Sequence, residues 1–190
     1  MKTLIISLKI FLFLTVLTGI IYPLVVTGIA QALYPGKANG SLIVKDHQKI
    51  GSELIGQQFD SDRYFTSRPS AVSYNPLPSG GSNYGLTNAR LKNLVSDRRQ
   101  QFRVFNHLDT CTAIPAEMLF ASASGLDPHI SLRAALLQVD RIAGSRKFNM
   151  LQKQKLIQYV QNISESPQFL CLGEERINVL LLNLRLDDIK

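Results

Sequence analysis

The hydrophobic pattern divides the chain into two unlike parts. From Ile10 to Leu33 no side chain carries a charge at neutral pH, and Lys9 and Lys37 are the nearest charges on either side. As a helix rising ~1.5 Å per residue this run extends ~36 Å, enough to cross a hydrocarbon core of ~30 Å with some tilt. A charge at its middle would cost roughly 3 kcal/mol, so the clean gap predicts a transmembrane helix over 10–33. Residues 1–9 then form a short tail and residues 34–190 a domain outside the bilayer. The rival pattern is a cleaved secretory signal ending at Ala30-Gln31-Ala32. The length speaks against it, because signal cores hold only ~7–15 apolar residues.

Within the apolar run Thr15, Gly19, Pro23 and Thr27 recur every four residues. Small side chains at that spacing form a shallow groove for a partner helix, and Pro23 predicts a kink. Lys2 and Lys9 precede the helix while Lys37, Lys45 and Lys49 follow it, so charge alone does not orient it. A short basic tail leading at once into the apolar run favours a cytoplasmic N-terminus and an extracytoplasmic domain.

Beyond Tyr34-Pro35-Gly36, which ends the helix, the pattern shortens. Ser41–Val44 reads as a strand, Asp46–Lys49 as a turn and Ile50–Phe59 as a second extended segment. Residues 60–90 are rich in Ser, Pro, Gly and Asn yet carry Tyr64, Phe65, Tyr74 and Tyr84. The prolines forbid a continuous helix, and the aromatics predict a docked, ordered loop. Thr87–Arg103 has helical periodicity with Leu91, Leu94, Val95 and Phe102 on one face and Thr87 or Asn88 as cap. Residues 104–120 form a mixed connection.

Asp127-Pro128 has the form of an N-cap followed by proline, and Ser131 is a second candidate cap. A helix is expected over Leu132–Ala143, stopped by Gly144, and another from the cap Asn149 to Ile163. Arg176–Leu184 is almost continuously apolar, which predicts a buried closing strand, with a short buried helix as the alternative. Together these elements give an α+β chain: one N-terminal transmembrane helix followed by a single extracytoplasmic mixed domain.

Charge and motifs narrow the chemistry. The net charge is +7, but no Lys/Arg tract is interleaved with aromatics, which argues against nucleic acid as a partner. The basic surface is compatible with weak attraction to membrane lipid. Cys111 and Cys171 either form one disulfide or remain free, buried thiols. His47, His107 and His129 lack metal-ligand spacing, so no metal site is expected. Ser124, Asp127 and His129 supply the residue types of a hydrolase triad, but triad members normally come from separate elements, and no catalytic residue is assigned. Gly80-Gly81 could present backbone N–H groups to an anion. Gln138 and Arg141, one helical turn apart, could hold a phosphate or a base edge; an ordinary polar flank fits equally. A membrane-anchored hydrolase and a secreted binding protein are the alternative functions.

Six segments taken in order resemble the C subunits of the Kdp potassium-transporting ATPases: Gly51–Gln57, Tyr64–Ala71, Ser79–Asn83, Ser122–Ser131, Gln138–Ala143 and Gly173–Leu180 with Leu182-Asn183. The resemblance implies a single-pass, non-catalytic accessory subunit of an ATP-driven, high-affinity potassium uptake pump in the bacterial plasma membrane. Its partners would be a potassium-channel-like subunit and a P-type ATPase subunit. It implies a role in assembly and a proposed role as a catalytic chaperone that raises the ATPase subunit's affinity for ATP. It further implies nucleotide contact by Gln138, with no tightly bound cofactor and ATP reached through the complex.

Overall fold

The computed structural model of the chain describes residues 1–45, 47–169 and 171–189. The chain divides into two compact units, Met1–Ser52 and Glu53–Lys190.

The first unit is dominated by one long apolar helical stretch, Lys2–Leu33. It consists of α1 (Lys2–Val16), a π-helical turn (Leu17–Ile21) and α2 (Tyr22–Leu33). The expected tail 1–9 is therefore helical from Lys2 onward, because its residues Thr3–Leu8 contain no breaker. Pro23 explains the π turn. Its ring has no N–H and crowds the carbonyl four residues back, so the preceding turn widens and the Tyr22 N–H reaches Leu17 O instead. The hydroxyls of Thr15 and Thr18 fold back onto the Phe11 and Leu14 carbonyls, each at 2.8 Å. Nothing lies within 4 Å of where a Cβ at Gly19 would stand, so that flank of the helix is open.

Tyr34 ends the long stretch and a single turn, α3 (Pro35–Ala38), follows. The side chains of Gln31 and Asn39 bond each other at 3.2 and 3.3 Å, tying this turn to the helix end. Strands β1 (Leu42–Lys45) and β2 (Gln48–Ser52) form an antiparallel hairpin, with Leu42 opposite Ser52 and Lys45 opposite Gln48, and an irregularity between Ile43 and Val44. The Ser52 hydroxyl closes its base on Gly40 O at 2.7 Å. The expected extended segment Ile50–Phe59 thus stops at Ser52. The hairpin groups with the long helix, so the second compact unit begins at Glu53 rather than at residue 34.

In the second unit residues 53–88 contain no helix or strand. Within them Phe65 is fully buried. Helix α4 (Ala89–Phe105) follows, capped by Asn88, whose side chain accepts from the Arg90 and Leu91 N–H groups at 2.8 and 3.3 Å. A 3-10 turn (Ala116–Met118) leads to β3 (His129–Ile130), α5 (Leu132–Leu136), α6 (Val139–Ser145) and α7 (Met150–Asn162). Then come β4 (Ile177–Asn178) and α8 (Val179–Leu186). The two short strands pair antiparallel, Ile130 opposite Ile177. Phe65, Ile142, Leu156, Val160, Ile177, Val179 and Leu182 form the centre of the core. The mixed helix-and-sheet content is the α+β class.

Four local expectations differ in the structure. The single helix 132–143 is two helices, because the turn tightens where the Gln138 N–H bonds Ala135 O, three residues back, at 3.0 Å. Gly144 does not end the second, which runs to Ser145. The apolar run 176–184 is strand for only two residues and then helix: Asn178 caps α8 by accepting from the Leu181 N–H at 3.2 Å, and the helix is buried on nearly every side. Ser131 caps α5, accepting from the Ala134 N–H at 3.1 Å, whereas Asp127 caps no helix. Asn149 caps α7 as expected and does so reciprocally, with Gln152 returning the bond.

Candidate functional site

The most concentrated polar structure lies inside the second unit, around residues 62–66. This segment belongs to no strand, yet Phe65 within it is fully buried, and the backbone groups around it need hydrogen-bond partners. Side chains of the helices supply them. Asn183 of α8 accepts from the Phe65 N–H at 2.8 Å and donates to Phe65 O at 2.9 Å, as a neighbouring strand would. Gln138, 0% exposed at the α5–α6 junction, accepts from the Thr66 N–H at 2.8 Å and the Thr66 hydroxyl at 3.0 Å. Its amide nitrogen donates to Thr66 O and Ala134 O at 3.4 and 3.3 Å.

Arg141 of α6 completes the cluster. It donates to Tyr64 O at 2.9 Å, to Asp62 O, to the Asn106 side chain at 2.9 Å and to Gln138 Oε1 at 3.0 Å. Its guanidinium also lies 4.3 Å above the centre of the Phe105 ring. Burial lowers its pKa to about 10, against the opposing charge of Asp62, so it stays protonated at neutral pH. The helical spacing of Gln138 and Arg141 does bring them together, facing the interior of their own domain.

A groove of about 900 Å³ opens between the segment 58–74 and α4. Thr66, Arg68 and Tyr74 line one wall, Arg98, Gln101 and Phe105 the other. The Tyr74 hydroxyl donates to Arg68 O, and burial raises its pKa to about 12. Arg98 is anchored to Leu119 O at 3.0 Å, and burial lowers its pKa.

A second, polar depression of about 500 Å³ is lined by Arg68, Glu117, Asp127, His129 and Arg176 among others. Asp127 accepts from Arg68 at 2.5 Å and from the His129 N–H at 3.0 Å. Burial alone would raise its pKa, but the hydrogen bonds from His129 and the Arg68 charge overcome it and hold the carboxyl down at about 2. Such a carboxylate is locked in its ionised form and is a poor proton carrier at neutral pH. The Ser124 hydroxyl accepts from the Leu126 N–H at 3.1 Å and bonds neither Asp127 nor His129, so the triad geometry is not formed.

Glycine contacts explain the surrounding turn. A Cβ on Gly56 would come within 2.7 Å of Asp127 O, and one on Gly125, at φ +70°, within 2.6 Å of Val72. The Gly80 N–H donates to Ser124 O at 2.9 Å, so this part of the Gly80-Gly81 loop is turned to the chain itself rather than to an anion. Cys111 and Cys171 are free and exposed, contrary to the expectation of a disulfide or buried thiols. Among the described residues no cluster of His, Cys, Asp and Glu has metal-ligand geometry. Asn183, Asn106 and Thr66 were not singled out from sequence. The available signal was Asn183, a polar residue set inside the apolar run of α8.

The molecule therefore has the form of a domain with one candidate membrane span, whose buried polar groups hold its own backbone. The family model described as K+-transporting ATPase, c chain, matches residues 4–188. The chain is 45% identical to a protein of Leptospira interrogans over 96% of its own length and 92% of the relative's. It is 46% identical to one of Dechloromonas aromatica (96% and 95% covered) and 47% identical to one of Burkholderia ambifaria (98% and 97%). Each relative is named the potassium-transporting ATPase KdpC subunit. The chain belongs to this family of C subunits of the potassium-transporting ATPase.

Proposed function

We propose that the chain is a non-catalytic accessory subunit that assembles and stabilises an ATP-driven potassium uptake complex in the bacterial plasma membrane. One observation supports this most: the helical stretch Lys2–Leu33 carries no charge from Ile10 onward and none of it is buried within the chain. Such a surface requires lipid or partner helices as its surroundings. The face carrying Thr15, Gly19, Pro23 and Thr27 packs against a helix of the channel-like or the P-type ATPase subunit. The N-terminus is cytoplasmic and the domain extracytoplasmic.

In that orientation the domain cannot meet cytoplasmic ATP. Any rise in ATP affinity of the ATPase subunit is then indirect, and it requires this chain to bind two pump conformations unequally. The chain itself holds no tight cofactor. The hydrolase reading loses its basis because Asp127 and His129 bond each other while Ser124 bonds neither and accepts from the Leu126 N–H instead. Purifying the complex with and without this chain tests the proposal. Loss of stable assembly and of ATP-dependent uptake is expected without it; intact assembly and uptake would overturn it.

A further inference from the structure

Gln138 stands behind the wall of the groove between segment 58–74 and α4, not in it. Thr66 lines that groove, and Gln138 holds Thr66 from the interior side by three of its bonds. A glutamine that binds a ligand must offer its amide to solvent. This one is 0% exposed, and its oxygen already takes three donors: the Thr66 N–H, the Thr66 hydroxyl and Arg141. Turning it outward would leave the Thr66 N–H and part of the Arg141 fork unpaired in the interior, which is strongly unfavourable. Asn183 does the same work one residue earlier, bonding both backbone groups of Phe65.

We infer that Gln138 is a positioning residue, not a nucleotide ligand: together with Arg141 and Asn183 it fixes segment 62–66 and so sets the Thr66 wall of the groove. Its influence on the pump passes through the shape of that wall.

Three substitutions separate the two roles. Gln138→Ala removes every bond to Thr66. Gln138→Glu keeps an oxygen for the Thr66 N–H, the Thr66 hydroxyl and Arg141, whose charge compensates the carboxylate, but turns its second oxygen on the Thr66 and Ala134 carbonyls that the amide had bonded. Asn183→Ala releases Phe65 without altering Gln138. Backbone amide exchange over 62–68 is measured on the full chain in detergent, and KM for ATP on the assembled complex; the second readout rests on the pump-subunit reading above.

For Gln138→Ala and Asn183→Ala, exchange over 62–68 is expected to rise about tenfold or more, with KM for ATP rising alongside. Gln138→Glu is expected to fall between the native chain and Gln138→Ala in both. A ligand role predicts the opposite ranking, since a carboxylate repels nucleotide phosphates. The inference is overturned if Gln138→Ala keeps native exchange, or if Gln138→Glu keeps native exchange while raising KM more than Gln138→Ala does. Should exchange follow the expected ranking while KM moves for no variant, the positioning role stands and the influence on ATP affinity fails.

Discussion

Met1–Ser52 and Glu53–Lys190 place their apolar side chains in opposite ways. In the first, Leu4, Phe11, Phe13 and Leu24 are 64–69% exposed. In the second, Phe65, Ile142, Leu156 and Ile177 are completely covered. Both are rich in the same residue types, so hydrophobicity alone does not define a core. What differs is periodicity and polar punctuation. The second unit interrupts its apolar residues with asparagine and serine caps that fold helices against one another. The first has no such stops over Lys2–Leu33 and leaves its apolar side chains uncovered by the rest of the chain. The two-stranded hairpin of the first unit fits the same contrast: strands of that number are marginal alone, and Leu42 and Val44 remain exposed on it.

The contrast can be broken from either side. Phe65→Ala should have the largest effect on folding. It removes the largest fully buried side chain and loosens the segment held by Asn183 and Gln138, so about 3–5 kcal/mol of domain stability should be lost. Denaturant unfolding of the full chain in detergent checks this; a loss under about 1 kcal/mol would mean that the segment is not part of the core. Ile20→Arg probes the other unit. At 54% exposure in the helical stretch it should leave domain unfolding unchanged while costing roughly 3 kcal/mol of membrane insertion. Fractionation should then show less chain in the membrane; full retention would argue that Lys2–Leu33 does not span the bilayer.

The smallest effect concerns pH. Asp127 is held well below its unfolded value, at about 2, so the native carboxylate contributes stability above pH ~4. That contribution should disappear as pH falls from ~4 towards ~2, because the unfolded chain takes up the proton first. Asp127→Asn should flatten this part of the Tm–pH curve. An unchanged slope would show that the Arg68 and His129 contacts do not persist in solution.

Much of this plan was legible in the sequence. The long helix and the caps Asn88, Ser131 and Asn149 all follow from local chemistry. Helix α8 did not, because a helix buried on nearly every side has almost no polar face, and its residues then read as an apolar run without period. The break at Gln138 was equally hidden, since no Gly or Pro marks the turn that tightens there. The bond between Phe65 and Asn183 spans 118 residues and leaves no local trace. Spacing on one helix did put Gln138 beside Arg141, but it could not say whether the pair looks outward at a ligand or inward at its own backbone.

On the function proposed above, the folded domain works from the outer side of the membrane, without chemistry of its own on ATP. Membrane-impermeant maleimide applied to intact cells tests it most directly, using the exposed Cys111 and Cys171 and an added Asp188→Cys near the chain end. Labelling before lysis is predicted at one or more of these positions. Labelling only after lysis, with a control outer cysteine reacting normally, would place the domain in the cytoplasm and contradict the claim.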